Sequence, residues 1–375
     1  MGGPTQAALY ASLDLELSWS EGALPQVERT KHVHSLHPYL GKFIPQLVDV
    51  FLHRYFKKGQ CLYDPFAGSG TALVESNVFG ADAIGCDISA FNCLLCEVKT
   101  DHYAHASLEM SLRGALESAR RQKPVALRGA SSWLRKWYAK RALQELLAYR
   151  EAISNLDEPA ASVGAVILSR AARSARQTTH FDLDFPRVPQ VTPYWCHKHK
   201  RACSPVGEAQ KFLSRYTSDT VRRLREFASI RSKRESTVIH ADARSVVLSR
   251  SADGVITSPP YPGLIDYHEQ HRYAYELLGL VDYSTIEIGA ARGGRGKQAL
   301  ARYTDDMVAV LLNTCKYLEP NARIVIVVND SRDLYPLILR ESGIQLEQRV
   351  TRHVNRRTGR RAGEFFEDVL VCSAP

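Results

Sequence analysis

Along the chain, apolar positions switch between two spacings, and the switches mark alternating strands and helices. Residues 1–30 carry little pattern and read as an irregular lead-in. Leu47, Val48, Val50, Phe51, Leu52 and Tyr55 then recur at helical spacing, after a loop holding His37-Pro38 and Gly41. Cys61-Leu62-Tyr63 is a short apolar run that ends in Asp64-Pro65-Phe66-Ala67-Gly68-Ser69-Gly70-Thr71. Residues 72–79 read as a helix and 82–86 as a second strand, closed by Asp87. Strand, glycine turn, helix and strand make one βαβ unit.

Helical spacing dominates the next stretch, over 108–121, 133–153, 163–175 and 210–231. Between the last two, residues 178–205 are irregular, with Pro, His and Cys clustered. Strand patterning resumes at 237–240 and 254–257, the latter running into Ser258-Pro259-Pro260-Tyr261. An aromatic-rich helix is expected over 266–280, a Gly/Arg/Lys loop over 290–297 and a helix over 305–318. Residues 323–328 read as a buried strand of branched residues. Residues 344–354 and 365–372 read as a hairpin with an arginine-rich turn. No repeat or low-complexity tract interrupts this order.

Composition narrows the class. The chain has 375 residues, 45% of them hydrophobic and 24% charged, which excludes disordered and fibrous classes. No apolar run of about 18 residues is present, so no membrane span is expected. The first residues lack a basic, secretory-type leader. Eight irregularly spaced cysteines read as reduced thiols of a cytoplasmic protein. Net charge is +9, and residues 101–235 alone hold 25 Lys and Arg against 13 Asp and Glu. The positive charge therefore belongs to one block, which points to a polyanionic partner such as DNA; a solvated helical surface is the plain alternative.

Two motifs carry chemistry. Gly68 and Gly70 allow backbone to approach a ligand between a strand and a helix. Asp87, nineteen residues after Gly68 and at the next strand end, stands where a carboxylate grips ribose hydroxyls. Neither GxGxxG nor GxxxxGK[ST] occurs, so a nucleoside without pyrophosphate fits better than a dinucleotide or ATP. In the second motif, a Ser258 hydroxyl and a Pro259 carbonyl can both accept hydrogens from an amino group, which localises the nitrogen lone pair. Pro259 and Pro260 stiffen the segment. Tyr261 offers a flat face on which a base can stack.

The two motifs together resemble the amino-methylating, S-adenosylmethionine-dependent DNA methyltransferases. Ser258-Pro259-Pro260-Tyr261 is similar to the N4-cytosine branch, whereas adenine enzymes more often begin with Asn or Asp. The resemblance implies a class I methyltransferase, an α/β Rossmann-like fold with a mixed seven-stranded sheet. It implies S-adenosylmethionine held by Tyr39 and Lys42 of a closing segment, by Asp64, Pro65, Phe66, Gly68, Ser69, Gly70 and Thr71, by Asp87 and Ile88, and by Asp242 and Ala243 beside the adenine. Ser258, Pro259, Pro260 and Tyr261 are the expected catalytic residues. Most N4-cytosine enzymes place the Ser-Pro-Pro-Tyr half first; here the order is reversed.

The division expected is a first methyltransferase part over 1–99, a basic target-recognition insertion over 100–235 and a second methyltransferase part over 236–375. The implied partner is double-stranded DNA with its target base flipped out, in a bacterial or archaeal cytoplasm near the nucleoid. A cognate restriction endonuclease belongs to the same picture. N6-adenine methylation of DNA and methylation of an exocyclic amine in RNA are the alternatives. Cys196, His199 and Cys203 offer three zinc ligands, with His197 or a distant residue as a fourth; incidental thiols in a basic loop are the competing reading, and no metal is assigned. Cys93 and Cys96 are expected in the core. Residues 290–297 and Arg349, Arg352, Arg356, Arg357, Arg360 and Arg361 are either phosphate contacts or solvated surface.

Overall fold

The computed structural model describes residues 17–19, 22–41, 44–180, 182–183, 186–354 and 365–375. Helix α1 (Pro45–Tyr55) leads into strand β1 (Cys61–Asp64), helix α2 (Thr71–Phe79), strand β2 (Asp82–Asp87) and helix α3 (Ala90–Thr100). A helical stretch follows: α4 (His105–Arg121), α5 (Ser132–Trp137), α6 (Lys140–Ile153) and α7 (Ala160–Ala175). A small hairpin, β3 (Tyr194–Cys196) and β4 (Arg201–Cys203), separates these from α8 (Gln210–Ala228). Then come β5 (Ser236–His240), β6 (Ala252–Thr257), α9 (Arg272–Leu278), α10 (Lys297–Cys315), β7 (Leu318–Val328), α11 (Tyr335–Glu341), β8 (Gln345–His353) and β9 (Phe366–Ser373).

Seven strands form one sheet in the order β5-β2-β1-β6-β7-β9-β8. The first five are parallel, while β9 runs antiparallel to β7 and to β8. Branched residues fill the central strands: Val255 and Ile324 to Val327 are fully buried, each contributing about 1.5–3 kcal/mol relative to exposure. The order reverses between β1 and β6, and the Gly-rich turn after β1 and the Ser-Pro-Pro-Tyr segment after β6 therefore flank the same crevice.

The helical stretch is not a separate lobe. Its core continues into the α/β layer: Leu112, Leu143, Leu146 and Ile167 share one buried cluster with Phe91 and Leu95 of α3 and Tyr273 of α9. Two helices expected to be continuous are broken by such packing. The 133–153 helix parts at Tyr138, whose hydroxyl donates to the Ala172 carbonyl at 3.1 Å. The 266–280 helix parts at His271, which is buried against Phe91 and Tyr39. Cys93 and Cys96 lie in the core as expected, and burial pushes both thiols up.

Candidate active site

The site begins with backbone conformation. Gly68 and Gly70 both have positive φ, 51° and 74°. A Cβ on Gly68 would sit 3.2 Å from the Tyr39 hydroxyl, and one on Gly70 3.0 Å from Cys96 Sγ. The turn can thus fold back over α2 only with glycine at these positions. Asp87, half-buried at the end of β2, locks it: Oδ2 accepts from the Gly68 N–H at 2.8 Å and Oδ1 from the Ser89 N–H at 2.8 Å. Asn92 of α3 donates to both oxygens at 3.1 Å. Burial raises the Asp87 carboxyl, and the two backbone donors oppose that rise. Behind the turn, buried Lys99 donates to the Ser69 carbonyl.

These elements surround a cleft of about 790 Å³, solvent mouth included. Of the expected cofactor residues, Tyr39, Pro65, Phe66, Gly68, Ser69, Thr71, Asp87, Ile88, Asp242 and Ala243 line it. Gly70 and Asp64 stand behind the wall, and Lys42 lies outside the described residues. Ser258 and Pro260 reach the same wall from β6. Tyr261 does not: it lines a neighbouring depression with Arg295, Tyr303, Asp330 and Tyr335, while Pro259 is buried and lines neither. The tetrapeptide therefore forms a partition between two concavities.

Hydrogen bonds define what this partition can do. The Ser258 hydroxyl donates to the Val327 carbonyl of β7 at 3.0 Å, which leaves its oxygen lone pairs to accept. Tyr261 donates to Glu367 Oε1 at 3.0 Å, and Glu367 accepts from buried Arg352 at 3.1 Å, so the ring is anchored at its far end. Asp64 ties the two motif strands together: Oδ1 accepts from Thr257 Oγ1 at 2.7 Å and from the Phe66 N–H at 3.0 Å. Its Oδ2 is buried with no hydrogen-bond partner among the described residues, and burial pushes the carboxyl up to about 7.

That shift has a measurable consequence. The folded chain keeps the Asp64 proton to a higher pH than an unfolded Asp, whose ordinary value is 3.8. The carboxyl costs no stability below about pH 4, and an increasing amount as pH rises to about 7. Asp64→Asn removes this titration and keeps the acceptor for Thr257. In melts without added cofactor, the variant should gain on the wild type from about pH 4 to about pH 7 and level off above that. A gap independent of pH would show that Asp64 is not held protonated.

The sequence reading missed several wall residues. Tyr267 and His268 come from the short helical turn Tyr267–Gln270 after β6, and Glu287 from the loop beyond it; Glu287 accepts from the Tyr267 N–H at 2.7 Å and pairs with His268 Nδ1 at 3.0 Å. They have no strand-end motif to mark them. Asn92 was legible in principle, one turn into the helix that Ser89 caps. The arginine readings need correction. Arg349 is bound to Asp368 at 2.7 Å, and Arg352 is buried and also donates to the Leu17 carbonyl at 3.1 Å, so both are committed within the protein. Arg356, Arg357, Arg360 and Arg361 lie outside the described residues. In the loop, Arg295 donates to the Gly263 carbonyl at 3.1 Å.

The sheet order, with β9 inserted antiparallel beside β7 and the crevice at the switch between β1 and β6, defines a class I methyltransferase, as the sequence motifs imply. Comparison with known proteins makes this particular. The chain is 35% identical to the type II methyltransferase M.MjaII of Methanocaldococcus jannaschii, over 96% of this chain and 83% of that one. A 70-residue segment is 37% identical to the type II methyltransferase M.MvaI of Kocuria varians, covering 18% of this chain and 15% of the other. No protein-family model matches. Among solved structures, TrmN of Thermus thermophilus aligns over 90% of this chain and 50% of its own, at 11% identity and a TM-score of 0.36. The chain belongs to the type II methyltransferases, and the resemblance to S-adenosylmethionine-dependent DNA methyltransferases is borne out at that level. Its cofactor is S-adenosylmethionine. The residues present suit that molecule: the turn leaves no room for a Cβ at Gly68 or Gly70, and the wall carries the Asp87 and Glu287 carboxylates, while Asp242 is paired with Arg244 at 2.6 Å.

Proposed function

We propose that the protein methylates the exocyclic N4 amine of cytosine in duplex DNA. The observation that carries the reading is Ser258: an acceptor oriented by the Val327 carbonyl, on the wall of the Gly68–Asp87 cleft. When bound, S-adenosylmethionine supplies a methyl group on positively charged sulfur, open to direct displacement by a base amine. Asp87 would hold the ribose, Asp242 and Ala243 the adenine, and Asp64, Gly68 and Gly70 the shape of the methionine end. Tyr39 stacks on Tyr267 and His271, at ring distances of 5.6 and 5.4 Å, and closes the cleft from the side.

Ser258 would take an amine hydrogen and the base would rest in the depression beside Tyr261, while Pro259, which lines neither concavity, would act by stiffening the segment. A paired cytosine cannot present its amine there, so the base has to leave the duplex. Most of the rate would come from holding amine and methyl group near attack distance. The basic stretch over 101–235 supports a DNA partner, although part of its charge is already paired. Arg222 and Arg223 both bind Asp219, at 2.7 and 2.9 Å, whereas Lys198, Lys200 and Arg201 are exposed and form no ion pair among the described residues. A modification enzyme acting beside a cognate endonuclease is the setting this activity suits.

Methyl transfer from labelled S-adenosylmethionine to duplex DNA and to transfer RNA, followed by nucleoside mass analysis, tests the reading. The expected product is N4-methylcytosine from duplex DNA. N6-methyladenine would move the target base and keep the site; label found in RNA alone would reject the DNA partner.

A further inference from the structure

The hairpin β3–β4 is too small to hold itself. It has three residues per strand, its Trp195 is 61% exposed, and the nearby Val188 and Val191 are exposed as well. A short two-stranded ribbon with so little apolar cover is marginal in water. Yet Cys196 and Cys203 are buried on one of its faces.

Around them, four potential ligands converge. His180, Cys196, His199 and Cys203 each bring one donor atom, and all four atoms lie within 4.8 Å of one another. His180 Nδ1 is 3.5 Å from Cys196 Sγ; His199 Nδ1 is 3.7 Å from Cys196 Sγ and 3.4 Å from Cys203 Sγ. Bond lengths of about 2.3 Å to sulfur and about 2.0–2.1 Å to nitrogen in a tetrahedron require ligand–ligand edges of roughly 3.3–3.8 Å. The observed sulfur–nitrogen separations fall within that range. We propose that these four side chains form a structural zinc site of the Cys2His2 kind, which staples the 177–209 segment.

Local backbone explains the convergence. Tyr194 pairs with Cys203 and Cys196 with Arg201, which makes Cys196 and Cys203 diagonal neighbours. Diagonal positions stand about 7–8 Å apart, beyond disulfide reach but suited to an ion between them. The turn carries His199 back toward Cys196, its N–H donating to the Cys196 carbonyl at 3.2 Å, and Lys200 takes the left-handed conformation, φ 51°, that completes it. His180 arrives from the end of the preceding segment, its N–H donating to the Tyr194 hydroxyl at 3.0 Å. Two thiolates and two neutral imidazoles balance the dication, and no coordination position is left for chemistry. A second buried cluster, His32, His34 and Glu75, does not compete: His34 Nε2 and Glu75 Oε1 are 2.6 Å apart, a direct hydrogen bond that is too short for two ligands of one ion.

The proposal does not depend on the substrate. Full-length chain produced with added zinc and purified without chelator or metal resin should carry about one zinc per chain by elemental analysis. Replacing zinc with Co²⁺ should give the visible absorption of a tetrahedral site with thiolate ligands. Cys196→Ser with Cys203→Ser should lose both signals, Cys315→Ser should keep both, and calorimetry with S-adenosylmethionine should show the cofactor site still folded. Zinc retained by the double variant would overturn the proposal. So would a wild-type chain that takes up neither zinc nor tetrahedral Co²⁺, a result that does not rely on any variant folding.

Discussion

Asp87→Ala is expected to weaken S-adenosylmethionine binding about 10- to 100-fold. The carboxylate sits on the cleft wall and also holds the turn that shapes it, through Gly68, Ser89 and Asn92. A charge-assisted hydrogen bond is worth about 1.5–3 kcal/mol, and tenfold in affinity is about 1.4 kcal/mol. Asp87→Asn separates the two duties: it keeps an acceptor for Ser89 but offers an N–H where Gly68 and a ribose both need an acceptor. Calorimetry should place its affinity between those of wild type and the alanine variant. Wild-type affinity in both variants would exclude Asp87 from the cofactor site.

Ser258→Ala should lower the single-turnover methylation rate about 10- to 100-fold while leaving the cofactor dissociation constant within about twofold. The hydroxyl donates to Val327 and makes no bond to the Gly-rich turn, so its removal leaves the Asp87 scaffold intact. What it removes is an acceptor for the amine, and leaving a buried donor unpaired costs about 1–3 kcal/mol. An unaltered rate in rapid-quench measurements would take the hydroxyl out of the reaction. A parallel loss of cofactor affinity would instead assign Ser258 to binding.

Much of this site was legible because its signals are local. A glycine pair between strand and helix, followed by an acid at the next strand end, is a statement about backbone reach and φ, and both properties reside in the residues themselves. The same holds for Ser258-Pro259-Pro260-Tyr261 at the end of β6. Helix breaks at Tyr138 and His271 were not legible, because they follow from contacts with Ala172, Phe91 and Tyr39, distant in sequence. Charge misleads for a related reason: Arg222 and Arg352 count as positive in the sequence whether or not Asp219 and Glu367 face them.

The sequence by itself determined the βαβ unit, the two motifs and the family they belong to, since each depends on spacing within a few residues or on repetition of a 3.6- or 2-residue period. Only the tertiary structure decided which concavity each motif residue faces. It placed Ser258 and Pro260 on the wall of the Gly68–Asp87 cleft and Tyr261 on the far side of a partition. It also merged the basic stretch into the core of the catalytic layer and brought His180 to within 3.5 Å of a cysteine sixteen residues away. Such meetings depend on how long-range packing closes loops, a free energy spread over many buried contacts and assignable to no single motif.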